Sequence, residues 1–340
     1  MTDGILKTIG NTPLVELSRA MDARFRLFAK LEGANPSGST KDRPALEIVR
    51  EGLATGNIKK DTLIVEASSG NMGVALAQIC RYMNLSFLCI TDKNATPQHL
   101  SLLRAYGAEV EIISEPDPAT GDLLVARINR ARKVLETHGN AYWTNQYGNL
   151  LNAQAHYRTM EEIITALSGE VDYFFCCASS CGTVRGCSEY LRSRNPGRTK
   201  ICAVDAPGSV IFGGRRGKRL IAGHGAGIRP ELYEDGLVDR VVKVTDMECV
   251  VGCRKLLATE ALLVGGSSGA AFMGVERLQD EIPDGANCVM LFPDRGERYL
   301  NTIFSDTWVR GQFGLSIDEC CSRVTYPVSP AVAPAQDFGA

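Results

Sequence analysis

Lys41 closes the run Asn35-Pro36-Ser37-Gly38-Ser39-Thr40-Lys41-Asp42-Arg43-Pro44, a loop of small residues leading into a helix start. A helix N-terminus is electropositive and lowers the cost of keeping an amine deprotonated. A lysine with a depressed pKa can act as a base or form an imine with a carbonyl; the plainer alternative is a solvated lysine in a capping loop. Three further stretches have the make-up of anion sites. Glu66-Ala67-Ser68-Ser69-Gly70-Asn71-Met72-Gly73 ends a strand in hydroxyls, a glycine and an amide. N–H groups at the following helix start can bind a carboxylate or phosphate, or the motif is simple capping by Asn71 or Ser69. Ser179-Ser180-Cys181-Gly182-Thr183 follows an apolar run, and its N–H groups and hydroxyls suit a phosphate dianion. It is neither a Walker A loop nor a GxGxxG turn. Gly265-Gly266-Ser267-Ser268-Gly269 is the fourth stretch, again open to an anion-site or a capping reading.

The elements that must position these loops alternate between strand and helix patterns, in units of about 30 residues, which predicts an α/β fold with mostly parallel sheets. Strands are expected over 27–31, 63–66, 85–91, 109–113, 173–178, 201–205, 241–244, 262–264 and 288–293. Helices are expected over 44–52, 72–82, 97–106, 123–138, 153–167, from 183 to 194, 246–260 and 269–282. The stretch after about 315, with Pro327, Pro330 and Pro334, lacks periodicity and reads as a loose tail.

At 340 residues the chain is long for one domain and suits two linked lobes. Lysine and arginine total 37 against 39 acidic residues, so nothing steers it toward nucleic acid or a lipid surface. No apolar run reaches the ~18 residues of a membrane span, and the N-terminal residues lack a secretion pattern. The twelve cysteines show no CxxC spacing, and the four histidines do not flank them at zinc-ligand intervals. Buried, reduced thiols in the cytoplasm are the expected state.

Taken together, and in this order, the loop lysine and the three strand-to-helix loops resemble the fold-type II pyridoxal-phosphate (PLP) enzymes, specifically the cysteine synthase and cystathionine β-synthase group. The likeness spans about residues 5–310, and Ile9-Gly10-Asn11-Thr12-Pro13-Leu14 carries it too. The resemblance implies a two-lobed α/β fold, each lobe a twisted, mostly parallel sheet flanked by helices. The smaller lobe would be 42–150, the larger 1–41 with 151–314, and 315–340 the tail. It also implies PLP as cofactor and Lys41 as the Schiff-base lysine. Asn71 would bond the ring hydroxyl, and Ser179, Ser180, Cys181, Gly182 and Thr183 would hold the phosphate. Ser267 would face the ring nitrogen. Ser68, Ser69, Met72 and Gln146 would grip the substrate carboxylate. Family members are usually homodimers, so a homodimer is expected.

Within the group, Ser179-Ser180-Cys181-Gly182-Thr183 departs from the usual Gly-Thr-Gly-Gly-Thr, and Met72 stands where threonine is common. The stretches 204–213 and 293–300, with Ser305-Asp306-Thr307-Trp308, resemble instead a siderophore-pathway branch, the N-(2-amino-2-carboxyethyl)-L-glutamate synthases. That branch joins O-phospho-L-serine to L-glutamate by β-replacement. Both partners are anionic and call for cationic or hydroxyl contacts. Arg127 is the first candidate, with an exposed-face arginine as the alternative because Arg130 and Arg132 share its helix. Tyr147 and Ser179 are hydroxyl candidates, and Arg216, Lys218 and Arg219 are further cations within reach. Two other readings remain: a cysteine or cystathionine synthase, and a non-catalytic α/β protein using the loops for a nucleotide.

Overall fold

A computed structural model describes residues 4–194 and 196–324. In chain order its strands are β1 (Leu14–Glu16), β2 (Arg26–Leu31), β3 (Leu63–Ala67), β4 (Ser86–Asp92), β5 (Glu109–Ile113), β6 (Ala141–Trp143), β7 (Tyr173–Cys177), β8 (Lys200–Asp205), β9 (Arg240–Lys243) and β10 (Asn287–Phe292). Its helices are α1 (Asp42–Ala54), α2 (Asn71–Met83), α3 (Pro97–Ala105), α4 (Leu123–Thr137), α5 (Leu151–Gln154), α6 (Tyr157–Ala166), α7 (Gly182–Arg194), α8 (Asp246–Glu260), α9 (Gly266–Leu278), α10 (Asp306–Phe313) and α11 (Ile317–Arg323).

The strands form two sheets, a six-stranded one in the order β1-β2-β10-β7-β8-β9 and a four-stranded one in the order β5-β4-β3-β6. Every pairing is parallel except β1 with β2. The larger sheet is covered on both faces, and the period-two rule sorts its side chains. Phe174, Cys176, Val289 and Leu291 enter one core, while Phe175, Cys177, Met290 and Phe292 enter the other. In β10 all six residues are buried, which is why its sequence reads as a continuous apolar run. The smaller sheet is sandwiched in the same way, with Ile64 packed toward α1 and α2 and Val65 and Ala67 toward α4.

The structure departs from the expected elements in five places, one of them α10, for which no helix was expected. The single helix expected over 153–167 is broken into α5 and α6; α7 passes so close that a Cβ on Gly186 would lie 1.8 Å from the Ala153 carbonyl oxygen. The strand expected over 262–264 is only a bridge between Val264 and Arg295, because Ala261 ends α8 in the left-handed conformation. The short strands β1 and β6 were not expected; three residues are too few to display an alternation. Part of the expected loose tail is helical: α11 starts with a capping box between Ser316 and Glu319 and buries Cys320 completely. The rest of that tail, 325–340, lies outside the described residues. Among the described residues no helix is long and apolar enough to cross a membrane, and all twelve cysteines are free, with only Cys321 exposed.

Candidate active site

Both neighbours of Lys41 are locked in place. Asp42 accepts hydrogen bonds from the backbone N–H and hydroxyl of Ser37. Arg43 forms a buried double fork, with Nε 2.7 Å from Glu32 Oε2 and Nη1 2.7 Å from Glu162 Oε1. Glu162 also takes Lys30 Nζ at 2.6 Å and the Asn11 N–H at 2.9 Å. Glu32 accepts from Thr12 Oγ1 at 2.6 Å. The Gly10-Asn11-Thr12 motif and the Lys41-Asp42-Arg43 motif are therefore two sides of one buried ion network. The preceding loop is pinned by the Thr40 N–H donating to the Pro293 carbonyl at 2.7 Å. Lys41 itself precedes α1 and faces a cavity. Burial pushes its ammonium down to about 8, with the carboxylates of Asp294 and Glu32 opposing. The low pKa anticipated from helix position thus has desolvation as its main cause.

The cavity has a volume of about 460 Å³ and opens where β3, β4, β7 and β10 end, the carboxyl edge where parallel sheets bind ligands. Its wall brings together Lys41, Ser68, Ser69, Asn71, Met72, Arg127, Gln146, Tyr147, Ser179, Ser180, Cys181, Thr183 and Ser267. Of the expected site residues Gly182 and Lys218 are absent from the wall; Lys218 is exposed, and Gly182 is confined from behind, where a Cβ would meet Asn152 Oδ1 at 2.4 Å. Asn152 Nδ2 donates to the Gln146 carbonyl at 2.6 Å and to Ser180 Oγ at 3.3 Å, tying two of the loops together. Thr183 Oγ1 lies 3.2 Å from His156 Nε2. Burial, then Lys41 and Arg43, hold His156 far below the usual histidine range, so that ring is neutral. Cys181 has φ 66°, a left-handed turn that gathers the N–H groups at the start of α7 into an anion nest.

Around 68–72 the N-cap of α2 is Gly70, neither Asn71 nor Ser69. Ser68 Oγ accepts the Gly73 N–H at 3.1 Å. Asn71 is freed from capping; its Nδ2 donates to Asp294 Oδ2 at 2.7 Å, and its Oδ1 accepts from Arg298. Gln146 Nε2 donates to the Ala67 carbonyl at 3.2 Å, which leaves a second amide hydrogen without an acceptor among the described residues. Arg127 lines the wall as neither a free cation nor an exposed face residue. It is buried, and its Nε lies 2.8 Å from Asp92 Oδ2.

Asp294 and Tyr299 were given no role from the sequence, yet both line the cavity. The Tyr299 hydroxyl donates to Asp294 Oδ2 at 2.6 Å, and burial raises the pKa of the carboxyl. Their signal was present in the 293–300 stretch, but only tertiary contact reveals which side chains turn inward. His99, whose Nε2 is 3.4 Å from Asn71 Oδ1, is held neutral by burial and Arg298, its pKa pushed down to about 3.

Residues 5–294 match the family of pyridoxal-phosphate dependent enzymes. The chain belongs to that family. Among solved structures it is similar to a hydrogen sulfide-producing enzyme from Fusobacterium nucleatum, with 32% identity over 88% of this chain and 100% of that one, at a TM-score of 0.82. It is similar to an O-ureido-L-serine synthase, 28% identical over 91% and 99% of the two chains, TM-score 0.83. A cysteine synthase from Entamoeba histolytica is 29% identical over 95% and 96%, TM-score 0.83. The protein is a PLP-dependent enzyme of the cysteine synthase kind, a family of β-replacement enzymes, which displaces the nucleotide-binding reading. The residues present fit the coenzyme: a depressed lysine, an N–H nest at α7, and the buried Thr40 Oγ1 and Asp294 Oδ1, which have no hydrogen-bond partner.

Proposed function

We propose that this chain joins O-phospho-L-serine to L-glutamate. The product, N-(2-amino-2-carboxyethyl)-L-glutamate, is a precursor of 2,3-diaminopropionate for a siderophore or related metabolite. The observation that carries this reading is the charge of the cavity wall. Lys41, Arg127, Arg216 and Arg219 face three carboxylates, Asp92, Asp122 and Asp294, and the hydroxyls of Ser179 and Tyr147 lie among them. An anionic leaving group and a dicarboxylate nucleophile both need such a wall; sulfide as the nucleophile makes no such demand, though phosphate leaves in either reaction.

In this reading Lys41 holds the coenzyme, 179–183 its phosphate, Asn71 the ring hydroxyl and Ser267 the ring nitrogen. When bound, PLP supplies a sink for negative charge at the substrate's α-carbon. The chain does the rest. Backbone groups of Ser68, Ser69 and Met72, with the spare amide hydrogen of Gln146, grip the α-carboxylate and fix the amino acid. Freed when the substrate amine takes its place, Lys41 Nζ would be the base that takes and later returns the α-proton, a role suited to an amine that burial lowers to about 8 in the coenzyme-free protein. A serine hydroxyl at the ring nitrogen, in place of a carboxylate, favours elimination over transamination. The Cβ–O bond to phosphate breaks and the glutamate amine forms a Cβ–N bond. That amine loses a proton and the α-proton is returned, so the products are the amine adduct and inorganic phosphate.

Sulfide is the second reading, favoured by the likeness to a cysteine synthase and a hydrogen sulfide-producing enzyme. The coenzyme-loaded protein, given phosphoserine with either glutamate or sulfide, should yield the glutamate adduct by mass spectrometry. Product from sulfide alone would overturn the assignment. A cytoplasmic homodimer completes the proposal, and light scattering of the purified protein checks the dimer.

A further inference from the structure

The segment 206–239 joins β8 to β9 without helix or strand and lies along the cavity mouth. It is held by its own hydrogen bonds, Val210 N–H to Ala226 carbonyl at 3.0 Å and Gly217 N–H to Gly208 carbonyl at 3.0 Å. Arg216 carries it across to the start of α4, donating to the Thr120 carbonyl at 2.9 Å and pairing with Asp122 Oδ2 at 2.5 Å. Asp122 in turn caps α4 by accepting the Leu124 N–H at 2.6 Å.

Arg219 lies beside this clasp and is different in kind. Its stem is fixed: a Cβ on Gly225 would lie 3.2 Å from Arg219 Cδ, and one on Gly227 3.1 Å from Arg219 Nη2 and 2.7 Å from Asp122 Oδ2. Two glycines make the room it occupies. Its Nε is buried without a hydrogen-bond partner, and among the described residues its guanidinium has no ion pair. The wall charges account for themselves otherwise. Arg127 is paired with Asp92, Arg216 with Asp122, and Lys41 is acted on by Asp294. With Lys41 taken up by the coenzyme, Arg219 is the one wall cation without a carboxylate at ion-pair distance among the described residues, Asp122 and Asp205 attracting it from farther off. A half-buried guanidinium whose enclosed Nε lacks an acceptor carries a desolvation cost, and an anion arriving with a substrate would supply one.

We propose that Arg219 receives the side-chain carboxylate of the incoming amino acid, and so selects an acidic nucleophile. This rests on the reading of glutamate as second substrate. The N–H nest at 180–183 and the loop 68–72 offer places for the other anions, while Arg219 stands at the rim beside the exposed Arg216, where the second substrate enters. A planar fork matches a carboxylate in two parallel hydrogen bonds.

The test separates the two halves of the reaction in coenzyme-loaded wild type, Arg219→Gln and Arg219→Lys. Single-turnover phosphate release without nucleophile reports the first half; the concentration dependence on glutamate and on glutamine reports the second. Arg219→Gln should raise the half-saturating glutamate concentration roughly tenfold to a hundredfold. Glutamine dependence and phosphate release should move less than about twofold on the same scale, and Arg219→Lys should recover part of the loss. An equal loss for glutamate and glutamine, or a loss confined to phosphate release, overturns the proposal; the latter assigns Arg219 to the leaving group. Should wild type refuse glutamate, calorimetric titration with glutarate against butyrate still decides the residue's role. Weaker glutarate binding in Arg219→Gln supports the carboxylate receptor, and glutarate binding no stronger in wild type overturns it.

Discussion

The ammonium of Lys41 is a burden to the coenzyme-free protein. Its pKa is lowered in the folded state, so below about 8 the fold carries a charge it disfavours, and the burden fades as pH rises from about 8 to 10.5. Lys41→Met should abolish the visible colour of the loaded protein. It should also make the coenzyme-free protein more stable to urea at pH 7, by about 1–2 kcal/mol, a stability gained where function is lost. The gain should shrink above pH 8; an unchanged gain at pH 10.5 would mean that desolvation is not its cause. Gly182 makes the opposite case. Any side chain there displaces Asn152, which holds both Gln146 and Ser180. Gly182→Ala should cost about 1–3 kcal/mol in urea and weaken coenzyme binding in a titration. Lys41 and the loop glycines were legible in the sequence because their chemistry is local: a residue type, a helix start, a short spacing. Arg127 was weighed as a free cation because Asp92, 35 positions away, neutralises it only through folding.

At the scale of elements, two glutamates show how one residue type takes opposite roles. Glu162 on α6 looks in sequence like an ordinary helix-face acid. In the fold it joins α6, β2, α1 and the N-terminal motif through Lys30, Arg43 and Asn11. Burial would raise its pKa, but hydrogen bonding and charge from Arg43 outweigh that and bring it to about 2. A depressed carboxyl stabilises above its unfolded value near 4.5 and loses that contribution as pH falls toward about 2. Glu162→Gln should therefore cost about 3 kcal/mol at pH 7, the low end for breaking a buried pair because the side chain is 18% exposed. The gap from wild type should close as acid titrates the carboxyl. Glu66, on β3, runs the other way. Burial raises it to about 7, against hydrogen bonds from Thr144, Gln146 and Ala67. Stability is then lost as pH rises from about 4.5 through 7, and Glu66→Gln should flatten that part of the profile, read by urea unfolding at pH 5 and pH 8. Neither sign was legible, since both depend on partners drawn from distant elements.

For the molecule as a whole, the alternation of strand and helix patterns was enough to read parallel sheets, because a strand buried on both faces writes its burial as an apolar run. Strand order was not legible, nor was the C-terminal helix. Proline-rich, aperiodic sequence after 315 masked a short amphipathic turn whose partners, α8 and α10, lie upstream. In the fold, Leu315, Ile317 and Val324 pack against the larger core around the fully buried Cys320. A carboxylate at that position must either be neutralised or leave the core, and α11 can leave, because none of its residues lines the cavity. The penalty is therefore capped at the free energy with which this helix docks. Cys320→Asp should lower the thermal midpoint by about 1–3 °C, corresponding to about 1–2 kcal/mol in a chain of this size. Coenzyme colour and the glutamate dependence should stay at wild-type values. A loss of colour in that variant would mean that α11 bears on the loop carrying Lys41 through the larger sheet, and an unmoved midpoint that it adds nothing to the core it covers.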